Sequence, residues 1–392
     1  MTENNSDRTL ILESGFTGHR GEYISHLMRF INDNANLHDK YIFFLNEKIV
    51  PLLGQLTESP NYFIEYVNPT EARSNFISQS FYEWTLVAEK ISQIRKNINE
   101  IIFMSVDEHL ILLTTRRFKK FNLSVKGVLF QPYVHYKNST DKKGLLRNYI
   151  SQKYATALNK SIKKLFILND EKTVCEMNKS IKRCFAYLPD PIEDKPVSSD
   201  ALVHDEIIEK FSLHATKKHL LVFGMIDERK NITTIIDALR LLPSEIKKSV
   251  HLLIIGRLDG AVKKKYQDHI HQHQDEINIT FNDQFATKGE MEVVFTNCHI
   301  VLMPYINFYS SSGILGHAIK HQKNVVASNQ GLVGRLVAEK NLGIAVNPLD
   351  PKEIKDAICQ LIYQPEKYQY QSAEYLHEYS PENFSRAILT EE

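Results

Sequence analysis

The sequence predicts an α/β protein of two domains, each a doubly wound parallel sheet, that face each other across a cleft. Its 392 residues suffice for two cores of ordinary size. Short apolar runs alternate with longer stretches of helical periodicity, which is typical of parallel strands joined by helices. A segment that begins at Leu188 and contains three prolines interrupts this alternation and predicts the linker. Because open α/β sheets bind ligands outside the carboxyl ends of their strands, the cleft is the expected site.

The apolar runs define the expected strands. In the first half they cover residues 9–12, 41–45, 62–67, 101–104, 128–130, 165–168 and 184–188. In the second half they cover residues 219–223, 250–255, 277–281, 299–303, 325–327 and 343–346. Helix-like stretches such as 22–32 and 144–162 lie between them, and in the second of these an apolar residue recurs every four positions from Leu146 to Ile162. We therefore expect domains over 1–200 and 201–365, followed by a helical segment over 366–392.

Composition excludes several classes of protein. Apolar residues make up 43% of the chain and charged residues 24%, as in an ordinary globular protein rather than a disordered one. No apolar run approaches the roughly 18 residues of a membrane span, and the polar N-terminus lacks the apolar core of a signal peptide, so we expect a cytoplasmic protein. The cysteines are scattered without a C-x-x-C pair, which favours reduced structural thiols over a metal site or disulfides.

Charge is distributed unevenly, although the net charge is only +1. Between Leu110 and Cys184 the chain has 17 lysines and arginines against 4 acidic residues, a net of +13 that leaves about −12 elsewhere. One interpretation is an anionic partner, which would be a membrane surface, a lipid diphosphate or nucleic acid. The alternative is a solvated lysine-rich surface. No zinc-finger or RNA-binding signature supports nucleic acid, so we expect none among the partners.

The most informative motif lies between residues 220 and 231. An apolar strand ends in Gly224, an acidic turn follows, and Arg229 and Lys230 precede an amphipathic helix that starts after Asn231. A helix N-terminus attracts anions because its N–H groups are unpaired and the helix dipole is positive there. Two adjacent cations strengthen this attraction. The motif therefore predicts that Gly224, Arg229 and Lys230 contact a diphosphate, and that Lys230 stabilises charge that develops on it during a reaction.

A glycine-rich turn follows the first expected strand. Gly15, Gly18 and Gly21 are spaced G-x-x-G-x-x-G, which differs from the dinucleotide-binding pattern G-x-G-x-x-G. Glycines let the backbone approach a ligand closely, and Gly18 is the expected contact, whereas a bare tight turn is the alternative. His19 and Arg20 are placed where they can meet an anion or a hydroxyl group.

Two histidines follow expected strands of the first half. His109 comes after the run 101–106 and His135 after the run 128–130, so both should lie at the carboxyl edge of the sheet. An imidazole in that position can bond a sugar hydroxyl or transfer a proton, which makes both histidines candidates for catalysis. A buried structural histidine is the alternative for each.

Further candidates lie in the second half. Ser311, Ser312 and Gly313 precede an apolar helix that carries His317, and they offer hydroxyl and N–H donors to a phosphate or sugar, with capping alone as the alternative. Gln284 follows the run 277–281 and is the candidate for a loop near a nucleotide base. The sequence contains no H-E-x-x-H, G-x-S-x-G, Walker P-loop, convincing Asp-x-Asp or His/Cys metal motif. We therefore expect chemistry without a bound metal or cofactor.

Together these motifs resemble the GT-B retaining glycosyltransferases, specifically glycosyltransferase family 4, whose fold has two Rossmann-like domains. The likeness covers nearly the whole chain and is strongest from about residue 220 to 361. It rests on the glycine-rich turn 15–21, on Gly224 to Lys230, on Val-Val-Ala-Ser-Asn-Gln-Gly at 325–331, on Glu339 and Gly343, and on Ser-Pro-Glu-Asn-Phe at 380–384. The last of these resembles the C-terminal helix that crosses back to the first domain.

The resemblance implies transfer of a sugar from a nucleotide-diphosphate-sugar to a saccharide or lipid-linked acceptor, with retention of configuration and without a metal. The donor residues it implies are Gly18, Gly224, Arg229, Lys230, Gln284, Ser311, Ser312, Gly313 and His317. His19 and Arg20 would bind the acceptor. It also implies synthesis of a bacterial surface polysaccharide or glycolipid, with the basic region 110–184 docked peripherally on the anionic inner face of the cell membrane.

The sequence departs from the family at several positions. The paired glutamates of the family, eight residues apart, align with Tyr309 and His317. The second glutamate normally holds the nucleotide ribose, so His317 is expected to bind it differently. The arginine often found after Gly224 is Met225, and the family's N-domain histidine aligns with Gln131 or His135, depending on the register. Two alternatives to a transferase follow, which are an inactive GT-B partner or scaffold protein and a GT-B sugar-nucleotide epimerase.

Overall fold

The structure is a computed structural model that describes residues 7–16, 18–69, 75–94, 97–137, 139, 141–193, 201–368, 370 and 372–390. The chain forms two compact units. The first consists of Met1–Lys137, Asp141–Pro191 and Tyr379–Glu392, and the second of Asn138–Thr140 and Ile192–Glu378. The boundary that the sequence analysis places after residue 200 therefore falls after Pro191. The expected segment 366–392 is divided, because its first part stays with the second unit and its last helix belongs to the first.

The first unit is built on one parallel sheet. Its described strands are β1 (Arg8–Glu13), β2 (Tyr41–Leu45), β3 (Phe63–Tyr66), β4 (Ile98–Phe103), β5 (Ser124–Leu129), β6 (Ile162–Leu168) and β7 (Phe185–Leu188). They lie in the order β3-β2-β1-β4-β5-β6-β7. Its described helices are α1 (Arg20–Asp33), α2 (Val50–Leu53), α3 (Phe76–Gln93), α4 (Arg116–Lys119), α5 (Lys142–Leu158), α6 (Glu171–Ser180) and α16 (Pro381–Leu389).

The second unit repeats this architecture. Its described strands are β8 (Lys218–Phe223), β9 (Val250–Ile255), β10 (Ile279–Asn282), β11 (Ile300–Met303), β12 (Asn324–Ser328) and β13 (Gly343–Val346). They are parallel and lie in the order β10-β9-β8-β11-β12-β13. Its described helices are α7 (Ala201–Lys210), α8 (Ile232–Arg240), α9 (Ser244–Ser249), α10 (Lys263–His273), α11 (Lys288–Asn297), α12 (Gly313–Lys320), α13 (Gly331–Glu339), α14 (Pro351–Tyr363) and α15 (Ser372–Glu378). Two predicted parallel sheets are thus confirmed.

Most strand residues are apolar because helices cover both faces of each sheet. Every residue of β9 is buried, for example, and so is every residue of β2. Three strands begin three or four residues earlier than the apolar runs predict, β4 at Ile98, β5 at Ser124 and β6 at Ile162. Charged residues near the starts of these strands interrupt the apolar runs in the sequence. Two of them pair across the sheet, since the ammonium of Lys126 on β5 lies 3.2 Å from the carboxylate of Glu100 on β4.

The last helix, α16, packs in the first unit. Phe384 and Ile388 are fully buried beside residues of α1 and β2. The Tyr23 ring of α1 lies 4.9 Å from the Phe384 ring, and the hydroxyl of Tyr41 donates to the carbonyl of Leu389 at 2.7 Å. Among the described residues, no helix combines the length and the apolar character needed to cross a membrane.

Helix α5 has its polar side buried and an apolar side exposed. It ends at Leu158, so Ile162 of the predicted repeat lies in β6 instead. The exposed apolar side chains are Leu146, Ile150, Tyr154 and Leu158, which are 43–59% exposed. The buried side chains are held by hydrogen bonds. The Gln152 amide donates to the carbonyl of Gln131 at 2.8 Å and accepts from the N–H of Tyr133 at 3.0 Å, while Thr156 donates to the Gln152 carbonyl. The orientation of α5 is therefore fixed by its polar face.

A chain of hydrogen-bonded histidines lies at the amino end of the second sheet. The carbonyl of His214 accepts from Nε2–H of His219 at 3.1 Å. Neutral His219 then has no hydrogen on Nδ1, so Nδ1–H of His251 donates to it at 3.2 Å. The hydroxyl of Thr280 donates in turn to Nε2 of His251 at 2.9 Å. Each imidazole in this chain donates one hydrogen bond and accepts another, which is possible only while both rings are neutral.

We expect this chain to make the second unit sensitive to acid. Burial, reinforced by the charge of His219, lowers the pKa of His251 from 6.5 to about 4, and burial lowers the pKa of His219 as well. The folded state then binds fewer protons than the unfolded state, so stability is complete above pH 6.5 and falls as the pH drops toward 4. The loss attributable to His251 is about 1–3 kcal/mol. Denaturant unfolding at pH 7.5, 6 and 5 measures it.

His251→Gln keeps a side chain that can hydrogen-bond but does not titrate, so its stability should fall less over this range. His271→Gln, at an exposed histidine of α10, is the matched control and should behave as the wild type. An equal loss of stability in wild type and His251→Gln would contradict the assignment.

Candidate active site

Both sheets have a point at which the strand order reverses, and the predicted motifs lie beside these points. In the second sheet β8 lies between β9 and β11, and in the first sheet β1 lies between β2 and β4. The connections that leave the carboxyl ends of such neighbouring strands diverge to opposite faces and open a crevice. Each unit therefore has its own candidate crevice, after β8 and β11 in one and after β1 and β4 in the other.

The loop after β8 carries the chain from the sheet edge into α8. Gly224 has a φ of +96°, a conformation that favours glycine. Asn231 has a left-handed backbone with φ of +58°, and its side-chain amide donates to the carbonyls of Pro304 at 3.1 Å and Pro348 at 2.6 Å. These bonds attach the end of the loop to the segments after β11 and β13. Lys230, which precedes Asn231, is positioned by them.

Lys230 is a buried cation at this edge, with only 2% of its surface exposed. Its Nζ donates to the carbonyl of Phe223 at 2.7 Å and to the hydroxyl of Tyr305 at 2.8 Å, which leaves one ammonium hydrogen for another acceptor. Burial, reinforced by the charge of Arg229, lowers the pKa of Lys230 from 10.5 to about 7. Nζ lies 3.8 Å from where a Cβ on Gly224 would be, so a group that contacts Gly224 is close to the ammonium. An anion placed there would restore the charged form.

Arg229 is held in place by Asp227 of its own loop and by the segment after β11. Its Nε lies 3.0 and 2.9 Å from the two carboxylate oxygens of Asp227. The guanidinium lies 5.1 Å from the centre of the Phe308 ring, and the Arg229 carbonyl accepts from the N–H of Ile306 at 3.0 Å. The arginine is therefore oriented along the segment after β11. A phosphate contact would require it to share or exchange its carboxylate partner.

The start of α12 is linked to Lys230 through Tyr305. Ser312 is the N-cap residue of α12, and its side chain lies close enough to the Tyr305 hydroxyl to lower its pKa, against the larger effect of burial. Burial raises the pKa of Tyr305, so its hydroxyl stays protonated. Ser311 precedes this cap and Gly313 begins the helix. The predicted segment of small residues and Lys230 are thus both next to the Tyr305 hydroxyl.

His317 lies one turn further along α12, and its ring is 5.4 Å from the ring of Phe295 on α11. Phe295 belongs to the apolar core of this unit. Tyr309, eight residues before His317, is buried. Both residues for which the sequence analysis expects the loss of a carboxylate are therefore packed among aromatic or apolar side chains.

A depression of about 630 Å³ adjoins the carboxyl ends of β8, β9 and β10. It is lined by Met225, Arg257, Leu258, Asp259, Gly260, Lys263 and Asp283. Asp283 accepts from the N–H of Leu258 at 2.7 Å and from Lys263 at 3.0 Å, and these bonds lower its pKa. Gln284 follows on an exposed loop, and the exposed Phe285 ring lies 5.9 Å from the Arg257 guanidinium. The predicted base loop therefore borders a recess beside Gly224.

In the first unit, a buried ion pair closes the glycine-rich turn. Arg20 begins α1 and bonds the carboxylate of Glu13 at the end of β1, which also accepts from the N–H of Gly15 at 2.8 Å. The guanidinium occupies the space that a side chain at Gly15 would need. A second carboxylate, that of Glu108, lies 3.9 Å from Arg20. Arg20 is thus already balanced by acids, and it is better placed to order the turn than to neutralise an acceptor alone.

The other two predicted residues of this turn are exposed to solvent. Gly18 has a φ of +70° and open space around its α-carbon. His19 is exposed and lies 3.3 Å from the carboxylate of Glu22. Both are accessible to a ligand.

The two candidate catalytic histidines are buried in the first unit. Nδ1 of His109 lies 2.8 Å from the hydroxyl of Ser80, and burial lowers the His109 pKa to about 4. Nε2 of His135 bonds the Asp170 carboxylate at 2.8 Å, and the side chains of both residues are almost inaccessible. Asp170 also caps α6. The geometry favours a positioning role for each histidine, and their predicted part in catalysis stays a prediction.

A cavity of about 600 Å³ connects the carboxyl edge of the first sheet with α5. Its polar lining includes Arg20, Ser105, Asp107, Glu108 and Gln131, and its apolar lining includes Leu110, Ile111, Ile150, Tyr154 and Leu158. The Asp107 carboxylate accepts from the N–H groups of Phe130 and Gln131, both at 2.8 Å, yet burial raises its pKa to about 6. The cavity is therefore amphiphilic, with polar groups at the strand ends and apolar groups along the helix.

Several residues of these edges were missed by the sequence analysis. Tyr305, Asp227 and Glu13 have no motif of their own, because their roles depend on partners distant in the chain or on a turn. Glu13 and Asp227 each follow a predicted strand within a few residues, which is the signal that could have identified them.

Residues 203–377 match the family model of glycosyl transferases group 1. The matched stretch spans most of the second unit. The matched residues include Gly224, Lys230, Tyr305 and Ser312, so the site described above lies within the stretch that is similar to this family. No curated protein matches the chain at a significant level.

Solved structures resemble the chain over almost its full length. An Anabaena HepE structure in complex with UDP-glucose is 13% identical, with a TM-score of 0.66 over 98% of this chain and 97% of the other. Sucrose-phosphate synthase from Thermosynechococcus elongatus is 15% identical, with a TM-score of 0.67 over 98% and 96%. WaaG, a glycosyltransferase involved in lipopolysaccharide biosynthesis, is 14% identical, with a TM-score of 0.63 over 97% and 99%. At these identities the likeness establishes the fold, and the chain has the predicted GT-B fold.

Proposed function

We propose that this protein transfers a sugar, with retention of configuration, from a nucleotide-diphosphate-sugar to an acceptor. The observation that carries the proposal is Lys230, a buried ammonium with one hydrogen still to donate, at the reversal point of a group 1 glycosyltransferase domain. A buried cation is unfavourable unless an anion compensates it. A diphosphate is the anion that the glycosyltransferase chemistry would bring to this edge.

Charge stabilisation is the step that this edge would accelerate. As the bond between the sugar and the diphosphate breaks, negative charge grows on the leaving phosphate, and Lys230 and the N–H groups at the start of α12 would stabilise it. Arg229 would join them by sharing Asp227 with the phosphate. The leaving phosphate would take the proton of the acceptor hydroxyl, so the proposal requires neither a strong protein base nor a metal.

The nucleotide base would lie in the depression beside Met225. Phe285 offers an exposed aromatic face and Arg257 a guanidinium plane, and both can stack on a base. The structure of Anabaena HepE contains UDP-glucose, which makes a uridine donor the first to test here.

One observation supports the alternative of an inactive partner protein. Tyr309, which is buried, and His317, which is half-buried, align with the paired glutamates in the resemblance, so two donor contacts expected from that resemblance would be missing here. An epimerase, the remaining alternative, would act on the free nucleotide sugar.

Release of nucleoside diphosphate in the presence and absence of candidate acceptors separates the three functions. A transferase should release diphosphate in proportion to the acceptor glycosylated. An epimerase should convert the sugar of the donor to its epimer, while the total amount of intact nucleotide sugar stays constant. A protein that binds a nucleotide sugar without either reaction would support the scaffold and contradict the transferase.

We also propose that the acceptor is lipid-linked rather than a free saccharide, and that the protein docks on an anionic membrane. The exposed apolar stripe of α5 borders the amphiphilic cavity at the end of β1 and β4. Lys142, Lys143 and Arg147 lie on the same helix, within the region 110–184 whose net charge is +13. Apolar groups between cations suit a surface of anionic lipids, to which each surface lysine or arginine adds about 1 kcal/mol. Such docking would serve synthesis of a bacterial surface polysaccharide or glycolipid.

We expect the protein to sediment with anionic vesicles at low salt and to be released as the salt concentration rises. Replacing Ile150 and Tyr154 together by serine should weaken binding by about tenfold or more, because two half-exposed apolar side chains then contribute nothing. Leu349→Ser, at an apolar side chain of similar exposure in the second unit, is the control and should bind as the wild type. Failure of the wild type to sediment at low salt would contradict membrane docking.

A further inference from the structure

A cluster of potential metal ligands joins two helices of the second unit. Asp237 lies on α8, and His269 and His273 lie on α10, where a spacing of four residues places both imidazoles on one face of the helix. One donor atom from each of the three residues lies within 4.8 Å of the others. Nε2 of His269 is 3.6 Å from the Asp237 carboxylate, and the two imidazole rings are 4.8 Å apart.

Two nitrogens of this cluster are buried without a hydrogen-bond partner among the described residues. They are Nε2 of His269 and Nδ1 of His273. The residue His273 is 4% exposed, and its Nδ1 is 3.6 Å from the nearest carboxylate oxygen, that of Glu276. A buried polar atom without a partner is unfavourable, and such atoms in a folded protein call for a bound ion, water or proton. Their position beside a carboxylate favours a cation.

The donor set selects the class of cation. Two imidazoles and one carboxylate suit zinc and its neighbours among the transition metals, whereas magnesium and calcium prefer oxygen ligands alone. Around a tetrahedral zinc ion with bonds of about 2.0–2.1 Å, ligand atoms are roughly 3.3 Å apart. The 3.6 Å between His269 and Asp237 is already near this value, and small side-chain rotations would bring the third ligand to it.

We propose that Asp237, His269 and His273 bind Zn²⁺ and that the ion fastens α10 to α8. Water or the Glu276 carboxylate would complete the coordination. Arg240 competes with the ion for Asp237, because its Nη1 lies 3.7 Å from the Asp237 carboxylate. Its Nε also donates to Glu276 at 3.0 Å, and this bond would remain when zinc binds Asp237. Since α8 begins next to Lys230, the ion would also stiffen the helix that follows the loop from Gly224 to Lys230. The site has no part in the proposed glycosyl transfer and does not depend on it.

Calorimetric titration of the full chain with ZnCl₂, after treatment with a chelator that is then removed, tests the site. The wild type should bind one zinc ion at this site. Loss of a side chain that hydrogen-bonds a metal ligand lowers metal affinity by about 10- to 100-fold. His269→Ala and Asp237→Asn each remove a ligand itself, so each should weaken zinc binding by more than this. His271→Ala is the matched control, because His271 is an exposed histidine on the same helix, and it should bind as the wild type.

Cobalt provides a second readout that identifies the ligands. Co²⁺ bound by imidazole and carboxylate should show visible absorption without the charge-transfer band of thiolate ligands, and this spectrum should disappear in His269→Ala. Absence of zinc binding by the wild type would overturn the proposal. Equal binding in wild type, His269→Ala and Asp237→Asn would also overturn it, because the ion would then lie elsewhere.

Discussion

Lys230→Met should reduce kcat/KM for the nucleotide sugar by about 30- to 1,000-fold, which corresponds to 2–4 kcal/mol of transition-state stabilisation. Methionine preserves most of the length and volume of the lysine side chain but offers no charge and no N–H donor. The phosphate that leaves the sugar would then lack the ammonium that Phe223 and Tyr305 hold in place. Initial rates at several donor concentrations give kcat and KM separately.

The same variant should remain folded. The folded-state pKa of Lys230 is about 7 against 10.5 for an ordinary lysine, so the folded protein binds fewer protons between these values. Stability contributed by this residue is thus lost as the pH falls from 10.5 toward 7, and the full cost of charging it is present below pH 7. Removing the amine removes this cost, and the melting temperature at neutral pH should not decrease. Lys264→Met, at an exposed lysine of the same unit, should leave both activity and stability unchanged.

An unchanged kcat/KM in Lys230→Met would place the diphosphate elsewhere. A large loss of melting temperature would show that the ammonium is chiefly structural.

Gly256→Ala should destabilise the second unit by about 2–6 kcal/mol. Gly256 follows β9 with a φ of +146°, a conformation that costs a residue with a side chain about 1–3 kcal/mol. Its α-carbon also faces the backbone of Gly224 so closely that a methyl group would overlap the Gly224 carbonyl. The backbone shifts that would remove this overlap typically lower stability by another 1–3 kcal/mol or so. Because Gly224 begins the loop to Lys230, donor binding should weaken in whatever fraction stays folded.

Calorimetric melting of the variant measures the first effect. Gly289→Ala is the matched control, because Gly289 lies in the first turn of α11 and the nearest atom to an added methyl group would be the Thr287 hydroxyl at 4.0 Å. Alanine is the better helix former, so this control should be neutral or more stable by up to about 1 kcal/mol. A Gly256→Ala variant as stable as Gly289→Ala would mean that β9 and the loop after β8 can separate freely.

Most of the fold could be predicted from the sequence because both sheets are buried on both faces. Strands of that kind are continuous apolar runs, and β2 and β9 begin and end where the runs do. Periodicity was less informative for α5. It shows that Leu146, Ile150 and Tyr154 share one face of a helix, but not whether that face meets the core. Gln152 decided the matter through hydrogen bonds to a distant loop, which no local pattern reveals.

The residues of the candidate site could likewise be predicted only in part. Gly224 and Lys230 could be found because a strand, a glycine and two cations before a helix form a local pattern with a known attraction for anions. Tyr305 could not, since its role arises only when β11 lies beside β8. The cluster of Asp237, His269 and His273 could not be found either, because two histidines four residues apart are not specific for a metal and the third ligand comes from another helix.

Calorimetric titration of UDP into the wild type and Lys230→Met at pH 8, in two buffers of different ionisation enthalpy, tests the central claim most directly. A diphosphate beside Lys230 should raise the pKa of its ammonium from about 7, so the wild type should take up close to one proton on binding. Its affinity should also fall between pH 7 and pH 9. Lys230→Met should bind at least about tenfold more weakly and take up no proton. Equal affinity and equal proton uptake in the two proteins, or no binding of UDP, GDP, dTDP or ADP by the wild type, would contradict the donor site described here.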